Sequence, residues 1–234
     1  MENQEKSVRI QTSLLNPLEK KALAWLGARM PSWVVSDHLS LVGLLGACTI
    51  ALGYFLTNYS PAFLWLASLG FVINWFGDSL DGTIARIRGT QRPLYGFYID
   101  HSLDCICEFL MVGGAGLLPY MHMWASLLIV VPYLMLEVNV MMNSHLNNEF
   151  NLTYGKLGPT EFRLILIGVN TAIYFLTPLH SWHATYDILG LFQVDFLPLD
   201  FVGLAIFLII MTIYVVTFFK DARKYAKMDP LKRV

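Results

Sequence analysis

Six stretches of about twenty predominantly apolar residues dominate this chain, at 39–57, 62–81, 97–118, 123–142, 162–179 and 201–219. Each is long enough to cross the roughly 30 Å hydrocarbon core of a bilayer as a helix. No water is available there for backbone N–H and C=O groups, so the helix is the form such a segment takes. The composition agrees, with 56% hydrophobic and 14% charged residues and a mean hydropathy of +0.53. The expected fold is therefore all-α: a polytopic membrane protein of six transmembrane helices, preceded by an N-terminal interfacial amphipathic helix.

The cations set an expected orientation. All 16 Lys and Arg fall in four segments. These are the N-terminal arm (Lys6, Arg9, Lys20, Lys21, Arg29), the loop after the second span (Arg86, Arg88, Arg92), the approach to the fifth (Lys156, Arg163) and the C-terminal tail. With six spans, all four lie on one side, and the positive-inside rule makes that side cytoplasmic, with both termini. The first thirty residues show charge throughout and no apolar core of a cleavable signal. Instead Asn16-Pro17 reads as a helix start, with Leu18, Ala22, Trp25, Leu26 and Met30 at helical spacing before Pro31. The expected organisation is an arm and interfacial helix at 1–36, the six-helix domain at 37–221 and a basic cytoplasmic tail at 222–234. The net charge of −1 says little about partners, because the charge is segregated by side, and no nucleic-acid partner is expected. Cys48, Cys105 and Cys107 fall within predicted spans and read as small packing residues, not as a disulfide or zinc set.

Charge inside these spans is the second constraint. Asp78, Asp81, Asp100 and Asp104 lie within 27 residues, near two hydrophobic helix ends. An Asp at the centre of a membrane helix costs roughly 2.5 to 3.5 kcal/mol on insertion scales, so these four need partners. Asp78 and Asp81 are i, i+3, and Asp100 and Asp104 are i, i+4. Each spacing puts its pair on one helix face. Two such faces opposed would form a cage for one or two hard cations such as Mg²⁺, which prefer carboxylate oxygens. Gly82 and Gly96 leave room for a flat or bulky group, and Arg86 follows Gly82 by one helical turn, where it could grip a phosphate.

The run from Asp78 to Asp104 resembles the signature D-x-x-D-G-x-x-A-R-x(8)-G-x-x-x-D-x-x-x-D of the CDP-alcohol phosphatidyltransferase family. All its fixed residues are present: Asp78, Asp81, Gly82, Ala85, Arg86, Gly96, Asp100 and Asp104. The one departure is a ninth residue between Arg86 and Gly96, in a loop that holds Gly89 and Pro93. A shorter echo, Asp37-His38-Leu39-Ser40-Leu41-Val42-Gly43, is similar to the family's P-N-x-L-T-x-x-G segment, with Asp for Asn and Ser for Thr.

The resemblance implies metal-dependent transfer of a substituted phosphate from a CDP-alcohol to an acceptor alcohol, with release of CMP, in phospholipid biosynthesis. It implies two Mg²⁺ or Mn²⁺ ions on Asp78, Asp81, Asp100 and Asp104. Asp37, Ser40, Gly82, Ala85, Arg86 and Gly96 would form the CDP and phosphate pocket. Asp104 is the implied base, with His101 as its rival, and the chain would be a homodimer in the inner membrane of the cell. Lys156 and Arg163 are candidates to hold an acceptor or lipid phosphate. The donor stays open between CDP-diacylglycerol and a CDP-amino-alcohol. Asp-His-x-x-Asp resembles the choline/ethanolamine branch, whereas the Lys156/Arg163 pair suits an anionic acceptor. Glu137, mid-span, reads either as functional or as a helix–helix hydrogen bond with Asn139 or a neighbouring span. His180 and His183 read as a solvated pair, and the glycines at 113, 114 and 116, like Gly43, Gly46 and Gly53, as close-packing sites. Two other classes make different demands. An aspartate-rich membrane prenyltransferase would want a second Asp-rich loop, and a transporter would not need Gly-x-x-Ala-Arg beside the carboxylates.

Overall fold

A computed structural model describes residues 8–10, 15–147, 149–151, 158–188 and 192–231. Among the described residues seven α-helices carry the fold: α1 (Asn16–Arg29), α2 (Ser36–Leu56), α3 (Leu64–Arg88), α4 (Pro93–Val112), α5 (Met123–Asn147), α6 (Pro159–Phe175) and α7 (Pro198–Met228). Helices α2 to α7 follow the six apolar stretches in order, and α1 is the expected short N-terminal helix. Among the described residues, four segments are long and apolar enough to cross a membrane: Ser36–Leu56, Pro61–Arg88, Met123–Asn143 and Pro198–Met228. The chain is an integral membrane protein. The other two helices depart from that standard for physical reasons. Helix α4 carries Asp100, Asp104 and Glu108, and α6 has 17 residues.

Two short strand pairs accompany the helices among the described residues. Strand β1 (Val8–Ile10) pairs in parallel with β2 (Glu149–Asn151), and β3 (Ala184–Ile188) pairs antiparallel with β4 (Phe192–Phe196), Ala184 opposite Phe196. The second pair lies in the loop between the fifth and sixth apolar stretches, where Thr185, Tyr186, Val194 and Phe196 are strand-forming residues. Helix α7 also runs nine residues past the predicted end of the sixth stretch, from 219 to Met228. Its extension is tied to α5: Asn139 and Asn143 each donate to Asp221, at 3.1 and 2.8 Å, and Tyr225 donates to Asn143 at 2.5 Å.

Helices α2 and α3 pack backbone against backbone. A Cβ at Gly77 would overlap the Gly43 backbone, and one at Gly46 would overlap Asn74. A Cβ at Gly70 would approach the Ile50 nitrogen to 2.7 Å. Small residues at these positions let two membrane helices come this close. The glycines after α4 serve a different contact. Gly113–Leu117 forms a 3₁₀ turn, where a Cβ at Gly114 would meet Ala51 of α2 at 3.2 Å. Below the α2–α3 seam, Ile50, Tyr54, Leu64, Ala67, Phe71, Leu118, Tyr120 and Ile173 form the largest core cluster. Gly77→Leu is expected to remove folded protein, since overpacking a core costs about 1–3 kcal/mol even where side chains can yield, and here backbone must move. Gly168→Ala, with nothing within 4 Å of its Cβ position, is the control. Monodisperse yield and thermal melting of both would check this, and a normally folded Gly77→Leu protein would contradict the packing.

Helix α1 packs by Leu23, with Leu26 and Met30, against Leu80, Ile84, Trp75 and Phe76 of α3 and Leu39 of α2. Leu18 and Trp25, which the helical spacing grouped with Leu26 and Met30, are instead exposed. Arg88, at the end of α3, fixes the linker from α1 to α2. Its guanidinium donates to the carbonyls of Met30 (3.0 Å), Pro31 (2.8 Å), Ser32 (3.4 Å) and Val34. Gly89 then ends α3 in the left-handed region (φ 66°), a conformation glycine adopts without a Cβ penalty.

Candidate active site

The close α2–α3 seam and the turn at Gly89 bring α4 back against α2, across a cleft from the Asp-bearing end of α3. Asp78 and Asp81 of α3, Asp100 and Asp104 of α4, and Ser40 of α2 line one narrow cleft, with Asn74, Gly43 and Cys107. On α3 the polar positions Asn74, Asp78 and Asp81 recur at i, i+4, i+7, which is one helical stripe. On α4, Asp100, Asp104 and Glu108 recur at i, i+4, i+8. The sequence pattern therefore extends one turn further than the four aspartates, and Glu108 is the residue that the motif-based reading missed.

Each carboxylate has a defined setting. Asp81 Oδ2 accepts from Ser40 Oγ at 2.7 Å, its Oδ1 accepts from the Gly82 N–H, and its carbonyl accepts from Ser36 Oγ at 2.8 Å. Asp78 Oδ2 accepts from Arg163 Nη2 at 2.6 Å, while Arg163 Nε donates to Asn74 Oδ1 at 2.9 Å. Asn74 in turn donates to the Gly43 carbonyl at 3.0 Å. The Arg163 side chain is 11% exposed and that of Asp78 29%, so this pair is shielded enough for its geometry to matter. Ligating atoms of Asp100, His101 and Asp104 all lie within 4.8 Å of one another. His101 Nδ1 is 3.7 Å from Asp100 Oδ2, and its ring packs on Phe97 with centroids 4.2 Å apart. His101 stands one residue, about 100° of helical rotation, off the Asp100/Asp104 face of α4. Its ring folds back far enough to join that group.

Other candidates lie apart. Asp37 sits at the rim, 3.6 Å from Arg92 and 3.4 Å from the Tyr95 hydroxyl, which donates to it. Arg86 turns back along α3, where its Nη2 donates to Thr83 Oγ1 at 3.0 Å and its Nη1 covers Gly82, 3.2 Å from where a Cβ would stand. Ala85 is half-buried on the same turn, and Gly96 has open space around its Cβ position. Lys156 lies outside the described residues, as does the His180 side chain, and His183 is exposed. Glu137 does not bond Asn139. It meets Cys105 Sγ at 3.5 Å and lies close to Glu108 of α4.

Four aspartates converge here with one guanidinium among them, a donor set of hard oxygens with one imidazole. It fits a divalent cation of the Mg²⁺ or Mn²⁺ type, whose preferred ligands are carboxylates. The carboxylate-lined cleft beside the Gly-x-x-Ala-Arg turn thus lies within a helical membrane protein. The CDP-alcohol phosphatidyltransferase profile matches residues 33–218, and the chain belongs to that family. It is 33% identical over 109 residues to cholinephosphotransferase 1 of Gallus gallus, a match that covers 44% of this chain and 32% of that protein. Cholinephosphotransferase 1 of Homo sapiens is 27% identical over 206 residues and that of Bos taurus 27% over 202, each match covering 83% of this chain and 49% of the relative. The chain thus spans half or less of the length of these curated relatives.

Proposed function

We propose that this protein transfers a phosphoalcohol group from a CDP-amino-alcohol to a lipid alcohol such as diacylglycerol, releasing CMP, in phospholipid biosynthesis. The convergence of Asp78, Asp81, Asp100 and Asp104 on one cleft, inside the stretch that the family profile matches, carries this reading. Two observations favour a CDP-amino-alcohol donor over CDP-diacylglycerol. The relatives bear the name cholinephosphotransferase. Arg163, the candidate for an anionic acceptor, already donates to Asp78 and Asn74.

In this reading the four aspartates would hold one or two Mg²⁺ or Mn²⁺ ions, which would supply charge neutralisation to the diphosphate. Ser40 holds Asp81 in orientation through its 2.7 Å bond, and Arg163 does the same for Asp78. The Gly82–Arg86 turn and Gly96 flank the nucleotide, with Asp37 and Ala85 at its edges. The acceptor hydroxyl oxygen forms a bond to the phosphorus that carries the alcohol. The bond from that phosphorus to the bridging oxygen breaks, and CMP leaves with the electron pair. The hydroxyl proton passes to Asp104, or to His101 beside it. Purified protein with Mn²⁺ or Mg²⁺, offered a panel of CDP-alcohols and acceptors, is expected to release CMP with CDP-choline or CDP-ethanolamine plus diacylglycerol. Release only with CDP-diacylglycerol and a small polar alcohol would overturn the donor assignment.

We further propose six spans, α2 to α7, with the Lys- and Arg-bearing segments and both termini cytoplasmic, in the inner membrane, and α7 as a face for a second copy. Only 6% of the α7 apolar window is buried within the protein, against 39% for α2. A reporter fused after Val234 is expected to behave as cytoplasmic and one inserted near His183 as external. The opposite pattern would place the cleft away from cytosolic CDP-linked substrates.

A further inference from the structure

Helix α1 lies outside the aspartate cleft, yet one of its carboxylate oxygens is shared by two other helices. A single oxygen of Glu19, Oε1, accepts from three side chains on two other helices. Trp75 Nε1 donates at 2.9 Å, Ser79 Oγ at 3.4 Å and Thr160 Oγ1 at 2.6 Å. The partners stand 56, 60 and 141 residues away in sequence.

Their placement relative to the cleft is specific. Trp75 and Ser79 are i, i+4 on α3, each one residue after Asn74 and Asp78, the two acceptors of Arg163. Thr160 is three residues before Arg163, on the same side of α6. The α3–α6 contact is therefore fixed at two neighbouring points, by Arg163 within the cleft and by Glu19 from α1 behind it. A further bond ties α1 to α6: Glu161 accepts from the Leu15 N–H at 2.8 Å, while its other oxygen accepts from the Gly158 N–H at 3.0 Å at the start of α6.

We propose that Glu19 is a positioning residue, which sets the spacing of α3 against α6 so that Asp78 and Arg163 meet in the cleft. The inference rests on reading that cleft as the metal and CDP-alcohol site. Hydrogen bonds weaken steeply outside about 2.7–3.2 Å and with poor alignment, so an ångström of drift between α3 and α6 would disturb both points together. The role needs an acceptor oxygen at that place and does not need the charge.

The test compares the full-length protein with Glu19→Gln and Glu19→Ala in lipid nanodiscs. Free Mn²⁺ is followed by electron paramagnetic resonance during titration, and kcat and KM are measured from CMP release. Glu19→Gln keeps Oε1 as an acceptor and is expected to bind Mn²⁺ like the unaltered protein. Glu19→Ala is expected to raise the Mn²⁺ Kd about tenfold, the low end for loss of a group that orients a metal ligand. Its kcat should fall more than its KM rises. If Glu19→Ala does not give monodisperse protein, Thr160→Val, which keeps the side-chain shape and removes the shortest bond, is expected to move the Mn²⁺ Kd the same way by a smaller factor. Variants that melt lower but bind Mn²⁺ and turn over normally per folded molecule would overturn the proposal, as would Glu19→Gln behaving like Glu19→Ala. An unaltered protein that binds Mn²⁺ but releases no CMP would sink the catalytic reading, and the Mn²⁺ comparison would still decide the role of Glu19. An unaltered protein that binds no Mn²⁺ would overturn both.

Discussion

Asp81→Asn, Asp100→Asn and Asp78→Asn are each expected to cut CMP release by at least about 10²- to 10³-fold, the loss typical of removing one preorganised electrostatic group. The protein should still insert and fold. Each change keeps side-chain volume and removes one negative charge from a cleft where four aspartates gather. The three differ in structural cost. The amide oxygen at position 81 can still accept from Ser40, so Asp81→Asn should melt close to the unaltered protein. Asp78 is the ion-pair partner of the shielded Arg163. Removing one member of a buried pair costs about 3–5 kcal/mol when the remaining charge is left alone. Here Arg163 keeps Asn74 and the new amide oxygen as acceptors, so a smaller loss of stability is expected. EDTA should mimic the loss of activity in the unaltered protein, with Mg²⁺ or Mn²⁺ restoring it. Full turnover in EDTA would remove the metal from the mechanism.

How far these residues could be read before the fold was known depends on how local their signal is. The aspartates were legible because their spacings are properties of single helices, and helices are what long apolar stretches form. The α2–α3 seam was partly legible through Gly43, Gly46 and Gly53, which are small for a reason that a lone sequence can suggest. Glu19 was not legible. In sequence it is one polar residue in a charged arm, and its partners lie on α3 and α6, brought together only by tertiary packing. Arg163 could be placed near the cleft from its side of the membrane. That it donates to Asp78 and Asn74 follows from tertiary packing. Glu137 is visible as an acid in an apolar helix, but its neighbour Glu108 lies on α4, one turn past the family signature. The small strand pairs were missed because β3 and β4 are five residues each, too short for an alternating pattern to stand out within a loop.

Asp104→Asn is expected to abolish turnover, while His101→Ala leaves it within about tenfold, if Asp104 both ligates metal and accepts the hydroxyl proton. The opposite assignment makes a different demand, since a positioned general base is worth about 10²- to 10⁴-fold. If His101 is the base, His101→Ala should lose that much, with donor affinity and Mn²⁺ binding unchanged. Geometry gives both residues a claim. Asp104 completes the i, i+4 pair with Asp100 and faces the cleft. His101 places a ring nitrogen within 4.8 Å of both carboxylates, and its ring is held by Phe97 at 4.2 Å. A histidine fixed in this way could also serve only to orient Asp100. His101→Gln separates these roles, because an amide can donate a hydrogen bond to Asp100 but cannot accept a proton at neutral pH. Near-normal kcat in His101→Gln together with none in Asp104→Asn would assign the base to Asp104. Near-normal kcat in Asp104→Asn would remove that assignment and leave the imidazole as the acceptor.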